Sequence, residues 1–399
     1  MTSRNRLYFI INLTVFIDTL LYGIIVPAVP HYAETFDISE TVVGTIFVAY
    51  SAGLLLSSVP VGHLCDRVDR KKILITGAIG LAVTTLIYMV SNSLYLILIS
   101  RFLQGVASSA AWTAGMALVA EMFPSSSRGK KLGLILSAAG LGTIVGPALG
   151  GVLFEFLGYK YPFAIIAIIA LAPIILLGKK NKEFLPEKND EPDMQSSNLL
   201  ATLKNRNLLW GAITISSATF GFGVIEPILP LQLEQRFGLT SLGIGFVFGI
   251  LSLSVTLSQP IMGGLADKFG RKKMMAAGLL ATAAVAPFLA YAQSLVLIGL
   301  IIFLFGLASG MISAPCLPLM AESISRNEAD GGAVGNAMYG TAFGVLNTAY
   351  SFGLAAGPLL GGLMTENFSF VFTMGFYSVL VAAVSIGVMR NVWETLTFD

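Results

Sequence analysis

Two acidic side chains lie inside long apolar stretches of the chain. Asp18 falls in the first stretch, and Glu226 falls beside Pro227 in the seventh. At roughly 1.5 Å of rise per helical residue, Asp18 would lie about 16 Å deep, near the middle of a bilayer about 30 Å thick. A carboxylate there is energetically costly and therefore indicates function. One such group in each half is the minimal arrangement for exchanging protons against an organic cation.

Arg101 is a third ionisable side chain within an apolar stretch. A long basic side chain can extend to the membrane surface, but we favour a cavity-facing Arg101 that pairs with a carboxylate or relays protons. Tyr350 is one of several aromatic residues that could line an amphiphile pocket through cation–π contacts. The two histidines and the separated Cys65 and Cys316 form no ligand cluster, so we expect no metal and no cofactor.

Two loops, after the second and the eighth apolar stretch, are dense in charge. They could simply be solvated basic loops. Because an aspartate at a helix end can accept from a basic side chain or an opposing helix N-terminus, we favour a latch that holds one membrane face closed in one conformational state. The candidate latch residues are Gly62, Asp66, Arg67, Arg70, Gly263, Asp267 and Arg271.

A run of small residues lies in the fifth apolar stretch and contains Gly142, Gly146, Pro147, Gly150 and Gly151. Small residues let two helices approach closely, and a proline removes a backbone donor and permits a bend. Helix packing alone could therefore explain the run. A dinucleotide-binding loop could not, because the pattern lacks the flanking strands that such a loop needs.

The composition defines the setting of these residues. The chain has 399 residues, of which 55% are hydrophobic and 12% are charged, against about 25% charged in an ordinary soluble domain. These values exclude a soluble fold and disorder. The 24 basic and 22 acidic residues leave a net charge of +2, which indicates no nucleic-acid partner. We therefore predict an all-α integral membrane protein surrounded by lipid.

Apolar runs of about 20 residues predict twelve membrane-spanning helices, since the runs are too long for barrel strands and lack their alternation. The predicted spans are 7–30, 42–63, 73–92, 94–120, 132–154, 161–178, 208–230, 242–264, 274–292, 295–320, 334–363 and 369–389. Of the 24 Lys and Arg residues, 21 fall on the side of the N-terminus. This asymmetry predicts that both termini are cytoplasmic.

The two halves of the chain match at four places in the same order, which predicts a duplicated six-helix unit. The matching segments are 26–30 with 226–230, 62–67 with 263–268, 120–121 with 321–322, and 142–151 with 353–362. Such units share one orientation and bind substrate between them. The predicted domains are an N-terminal bundle over 1–178, a cytoplasmic linker with a short interfacial helix over 179–206, and a C-terminal bundle over 207–399.

These motifs resemble the major facilitator superfamily over essentially the whole chain. The loop from Gly62 to Lys72 is similar to its signature between helices, with Asp69 where a glycine is usual. The segment around Arg101 is similar to a motif associated with proton transfer. The 142–151 run resembles the antiporter motif of twelve-helix drug:proton exporters. The resemblance implies two pseudo-symmetric six-helix bundles and no enzymatic activity.

Within the superfamily, the chain most resembles vesicular monoamine transporters and their bacterial relatives. Asp18 precedes Pro27 by nine residues, as the amine-binding aspartate of that family does, and the Glu226-Pro227 segment is similar to one that faces the substrate there.

Three positions depart from that family. Ser51 stands in place of a lysine, and Asn347 and Ser313 stand in place of aspartates. The charges lost at Ser51 and Asn347 pair with each other in the family, so neither leaves an uncompensated partner. The candidate substrate- and proton-binding residues are Asp18, Glu226, Arg101, Asn347, Ser313, Ser51 and Tyr350.

The sequence thus predicts a monomeric, proton-coupled antiporter in a bacterial cell membrane. It would export lipophilic, mostly cationic compounds such as monoamines, drugs and dyes. A symporter or facilitator for a small nutrient is an alternative. A non-transporting membrane sensor is an alternative from another class.

Overall fold

A computed structural model describes residues 3–177, 205–328 and 336–393. Within these ranges all regular structure is helical. The predicted linker over 179–206, with its interfacial helix, lies outside the described residues except for its last two positions.

Among the described residues, eight helices precede the linker. They are α1 Ser3–Gly23, α2 Val29–Phe36, α3 Glu40–Arg67, α4 Arg70–Val90, α5 Leu94–Met122, α6 Ser125–Leu157, α7 Tyr161–Ala170 and α8 Ala172–Leu177. The helical segment at the first predicted span extends beyond the predicted bounds of 7–30 at both ends. A 3-10 turn over Val26–Ala28 interrupts it and separates α1 from α2. Pro27 and Pro30 lie in the first turns of these short helices, where a missing backbone N–H breaks no helical hydrogen bond.

In the described ranges 205–328 and 336–393, seven helices follow the linker. They are α9 Arg206–Phe237, α10 Ser241–Phe269, α11 Arg271–Val285, α12 Phe288–Tyr291, α13 Leu295–Glu328, α14 Asn336–Asn367 and α15 Phe370–Asn391. Pro147 and its counterpart Pro358 lie inside continuous helices, α6 and α14.

Most of the described residues in each predicted span are helical. In the described ranges, ten helical segments are long and apolar enough to cross a membrane. The two other predicted spans are occupied by Tyr161–Leu176, which is a shorter apolar segment, and by α14. The prediction of an all-α integral membrane protein is confirmed.

The chain divides into two compact units. The first unit comprises the described parts of Met1–Glu191 together with Leu229–Gly249. The second unit comprises the described parts of Pro192–Ile228 and Ile250–Asp399. The predicted domain boundaries at 178 and 207 stay a prediction, since α9 and α10 each contribute residues to both units.

Candidate functional site

Asp18 is buried among polar groups of a neighbouring helix. Its side chain lies on α1 and is 1% exposed. The carboxylate oxygen Oδ2 accepts hydrogen bonds from the hydroxyl of Ser108 and from Nε1 of Trp112, both at 2.8 Å. The other oxygen, Oδ1, has no hydrogen-bond partner in the described structure. The two carboxylate oxygens therefore differ, because one is hydrogen-bonded to α5 and the other is buried without a partner among the described residues.

A hydroxyl pair extends the contact of Asp18 toward α3. The Tyr50 hydroxyl donates to the Ser108 oxygen at 3.0 Å, while Ser108 donates to Asp18. This order is chemically required when Asp18 is ionised. A carboxylate only accepts, so Ser108 must donate to it and receive its own hydrogen bond from Tyr50. The chain of hydrogen bonds therefore points from Tyr50 to Asp18.

Arg101 is a buried cation held by aromatic rings. Its side chain is fully buried. The guanidinium carbon lies 5.5 Å from the ring centre of Phe47 and 5.6 Å from those of Tyr22 and Tyr50. Nη1 donates to Gln104 at 3.0 Å. Cation–π contacts with three rings offset part of the cost of burying the charge.

The predicted pairing of Arg101 with a carboxylate is not found among the described residues. The three ring faces and Gln104 surround the guanidinium instead, and its Nε and Nη2 atoms have no hydrogen-bond partner there. Tyr50 nevertheless connects Arg101 with Asp18, since its ring contacts the cation and its hydroxyl bonds to Ser108. The structure thus connects two predicted site residues through Tyr50, one of the aromatic residues considered for the pocket, and through Ser108, which was not predicted.

The residues of α5 at this site share one helix face. Arg101, Gln104, Ser108 and Trp112 follow one another at intervals of three or four residues, which places them in one row. This spacing is the signal that could have identified Ser108 and Trp112 once Arg101 was chosen. Tyr22 follows Asp18 by four residues and extends the row on α1 in the same way.

Glycines bring α3 and α5 into backbone contact at this site. A Cβ atom on Gly105 would lie 2.8 Å from the Leu54 backbone nitrogen and closer still to the Tyr50 carbonyl oxygen. Gly53 meets the Phe102 carbonyl oxygen in the same way. Because only hydrogen fits at these places, the two helices approach closely enough for Tyr50 to reach both Arg101 and Ser108.

The predicted antiporter run packs α6 against α1. A Cβ on Gly146 would lie 2.7 Å from the Leu20 carbonyl oxygen, and one on Gly150 would lie 2.7 Å from that of Ile24. Gly142 faces Thr19, the neighbour of Asp18. The run therefore supports the helix that carries the buried carboxylate.

Two other residues of this run contact further segments. A Cβ atom on Gly23 would lie 2.9 Å from Pro147, and one on Gly151 would lie 2.6 Å from the Ser241 carbonyl oxygen. The same packing repeats in the second unit, where Gly353 faces Thr219 and Gly357 faces Phe220.

Glu226 provides the acidic group of the second unit. It lies on α9 and is half-buried. Tyr350 of α14 lies within electrostatic range of it. Asn347, one helical turn before Tyr350, is also half-buried. Glu226 and Tyr350 thus form a second candidate site, and Asn347 lies on the same helix as Tyr350.

The hydroxyls of the two predicted serines, Ser51 and Ser313, each donate a hydrogen bond within their own helix. Ser51 of the first unit is fully buried and donates to the Phe47 carbonyl oxygen at 3.3 Å. Ser313 of the second unit is half-buried and donates to the Ser309 carbonyl oxygen at 3.0 Å. Neither position carries charge, so neither demands a counterion.

In each unit, an arginine at the end of the basic loop forms an ion pair with a glutamate near the end of another helix. In the first unit, Arg70 at the start of α4 pairs with Glu121 of α5. In the second unit, Arg271 pairs with Glu322 of α13 and with Asp267 at 3.0 Å. The sequence had shown Glu121 and Glu322 as a matching pair without assigning them a role. The repeat itself was the signal for this missed contact.

The remaining latch candidates make fewer contacts. Arg67 is exposed. A Cβ on Gly62 would meet no atom within 4 Å, and one on Gly263 would meet Ala314 at 3.9 Å. The side chain of Asp66 lies outside the described part of the chain. The latch stays a prediction at these positions.

The helices that follow the two basic loops, α4 and α11, begin with different residues at the matching position. The Asp69 carboxylate accepts from the Lys71 backbone nitrogen at 2.9 Å and caps α4. Gly270, at the matching position, has φ of +98°, which strains any residue with a Cβ. Asp69 has φ of −51°, so its backbone does not require glycine. This difference explains why an aspartate fits where a glycine is usual.

Apolar helices built as a duplicated unit, with ionisable side chains buried inside, define a multi-pass membrane transporter. The family model described as Major Facilitator Superfamily matches residues 11–225 and 211–396. The chain belongs to the Major Facilitator Superfamily, and it is not an enzyme.

Comparisons with individual proteins agree with this assignment. The chain is 30% identical to the mouse (Mus musculus) MFS-type transporter SLC18B1 over 397 residues, covering 95% of this chain and 84% of the relative. It is 28% identical to the rat (Rattus norvegicus) synaptic vesicular amine transporter over 342 residues, covering 85% of this chain and 64% of the relative. The fold matches a bacterial homologue of the human lysosomal transporter Spinster, with a TM-score of 0.83, 13% identity and 98% coverage of both chains.

Proposed function

We propose that the protein is a proton-coupled antiporter that exports lipophilic, mostly cationic compounds from the cell by alternating access. The observation that carries this proposal is the buried Asp18 carboxylate, of which one oxygen is hydrogen-bonded and the other has no partner among the described residues. A buried acceptor without a partner is unfavourable. An amine or another organic cation at Oδ1 would remove that penalty.

Proton and cation compete for Asp18 through its charge. A proton delivered through Ser108 arrives at Oδ2 and neutralises the carboxylate, which weakens its attraction for a cation at Oδ1. A cation at Oδ1 conversely favours the ionised carboxylate and releases the proton. Exchange at a single carboxylate couples the two movements with opposite sign.

Arg101 and Tyr50 support this exchange from the other side. The charge of Arg101 cannot be lost, and its guanidinium contacts the ring of Tyr50, whose hydroxyl bonds to Ser108 beside Asp18. Tyr50 and Ser108 provide an ordered hydrogen-bond path along which the proton can move. Arg101 is therefore proposed to couple protonation of Asp18 to the state of the cavity.

Glu226 is proposed to perform the same role from the second unit, with Tyr350 offering an aromatic surface to a cation. The similarity to the rat synaptic vesicular amine transporter supports an amine-type substrate. We further propose that both termini are cytoplasmic, that the protein acts as a monomer and that the inner loops hold the closed state.

Uptake into proteoliposomes tests the proposal. Ethidium suits this assay because its charge does not depend on pH, and a monoamine, a neutral antibiotic and a sugar complete the panel. We expect ethidium to accumulate in vesicles with an acidic interior. Asp18→Asn and Glu226→Gln should abolish this uptake, while Glu155→Gln, which alters an exposed carboxylate, should preserve it.

Two outcomes would contradict the proposal. Accumulation of the sugar together with protons would indicate a symporter instead. Retained pH-driven ethidium uptake by Asp18→Asn would exclude the role of Asp18. Growth protection by the gene in a host that lacks efflux pumps would then define the substrate range.

A further inference from the structure

A polar cavity lies in the first unit beside the turn between α6 and α7. Its volume is about 200 Å³, and His31, Asn92 and Lys160 are among its lining residues. His31 stacks on Tyr159, with ring centres 3.6 Å apart and planes within 4°. Such a cavity has both the volume and the polar partners that water needs.

Tyr88 separates this cavity from a second space beside Arg101. It lines both the cavity and the second space, to which Arg101 and Gln104 also contribute. Its ring stacks on Phe163, with ring centres 5.0 Å apart. Tyr88 is therefore the dividing wall between a polar cavity and a buried cation.

Tyr88 and Arg101, which both line the second space, carry buried polar atoms without hydrogen-bond partners among the described residues. The Tyr88 hydroxyl and the Nε and Nη2 atoms of Arg101 are buried and make no hydrogen bond in the described part of the chain. Ser100 lies near Tyr88, but its hydroxyl donates to the Thr84 carbonyl oxygen at 2.7 Å. Buried polar groups almost always have partners, so this concentration indicates a place that water occupies in another state.

The second space does not admit a water-sized sphere in this structure. We propose that Tyr88 gates a proton-entry route that runs inside the first unit from the cavity beside His31 to Arg101, and onward through Tyr50 and Ser108 to Asp18. The route rests on the proposed antiport and adds the place where the proton enters. Opening requires that the Tyr88 ring moves and that water enters beside Arg101 and extends to Tyr50, whose ring contacts the guanidinium.

Proton movement along this route balances at every step. A hydronium in the cavity gives a proton to the Tyr88 oxygen as the Tyr88 hydrogen passes to the water beside Arg101. That water passes a proton to Tyr50, Tyr50 passes its own to Ser108, and Ser108 passes its own to Oδ2 of Asp18. Each hydroxyl gains one proton and loses one, so the net result is that the hydronium becomes water and the Asp18 carboxylate becomes neutral.

Two substitutions of Tyr88 test the gate with opposite expectations. Tyr88→Phe retains the ring and removes the relay, so pH-driven ethidium uptake should fall about tenfold. Exchange of labelled for unlabelled ethidium at equal pH should stay unchanged, because it needs no net proton movement. Tyr88→Ala joins the two spaces and should let protons leak into proteoliposomes without ethidium. Tyr95→Phe, whose ring is 78% exposed, is the matched control.

The results separate the gate from the antiport itself. If the unaltered protein shows no pH-driven uptake of ethidium, the proposed function fails. If it does, and Tyr88→Phe retains full pH-driven uptake, the gate is overturned while the antiport stands. Equal losses of uptake and exchange in Tyr88→Phe would show a purely structural role and would overturn the gate too.

Discussion

Ser108 on α5 donates a hydrogen bond to Asp18 on α1 across 2.8 Å. Its neighbour Ser109 is also buried, yet its hydroxyl has no partner among the described residues. Ser108→Ala should slow pH-driven ethidium uptake about tenfold, because it disconnects Tyr50 from the carboxylate. Ser109→Ala removes an unbonded hydroxyl and should leave the rate unchanged. Equal rates for the two variants, measured as initial uptake, would exclude the hydrogen-bond path.

The aromatic surroundings of Arg101 predict that charge alone is insufficient there. Lysine keeps the charge but loses the planar group that contacts three rings and the bond to Gln104. Arg101→Lys should lower the free energy of unfolding in detergent by about 1–3 kcal/mol and reduce pH-driven uptake.

Arg236→Lys provides the control for this change. Arg236 lies over a single ring, that of Phe237, at an exposed position. Its replacement should change neither unfolding nor transport. A stability loss as large as that of Arg101→Lys would contradict the assigned importance of the three rings.

Two glycines of α6 predict opposite responses to alanine. A Cβ on Gly146 would lie 2.7 Å from the Leu20 carbonyl oxygen, whereas one on Gly133 would meet no atom within 4 Å. Gly146→Ala should destabilise the protein by about 1–3 kcal/mol and impair uptake. Gly133→Ala should raise stability by up to about 1 kcal/mol through helix propensity. Thermal unfolding in detergent measures both signs, and a shared sign would refute the packing role.

The two related ion pairs predict unequal coupling energies. The Arg70 side chain is 26% exposed and that of Arg271 is 11% exposed, and Arg271 also binds Asp267. The coupling between Arg70 and Glu121 should be about 0.2–1 kcal/mol, as for other solvated pairs. The coupling between Arg271 and Glu322 should exceed it. Double-mutant cycles on unfolding in detergent give both values, and the reverse order would contradict this ranking.

The helices were predictable because bilayer thickness sets the length of an apolar run. Their interruptions were not, because they depend on local backbone geometry. The turn at Val26–Ala28 and the end of α11 at Val285 lie inside runs that look continuous in the sequence. A prediction based on hydropathy measures polarity and contains no term for backbone dihedral angles.

The position of Asp18 was predictable, but its partners were not. Ser108 and Trp112 lie 90 and 94 residues away in the chain, and a hydroxyl or an indole in an apolar helix carries no signal of its own. The aromatic contacts of Arg101 could not be predicted for a related reason. Its rings come from α1 and α3, and no single segment shows that three aromatic residues will converge.

The glycine contacts between α6 and α1 have a mechanical consequence. With backbone against backbone at Gly142, Gly146 and Gly150, no flexible side chain separates the two helices to absorb a displacement. A tilt of the α1 segment that holds Asp18 must therefore displace α6 as well, so the two helices move as one rigid body. The matching contact of Gly357 with α9 joins the helix that carries Glu226 to α14 in the same way.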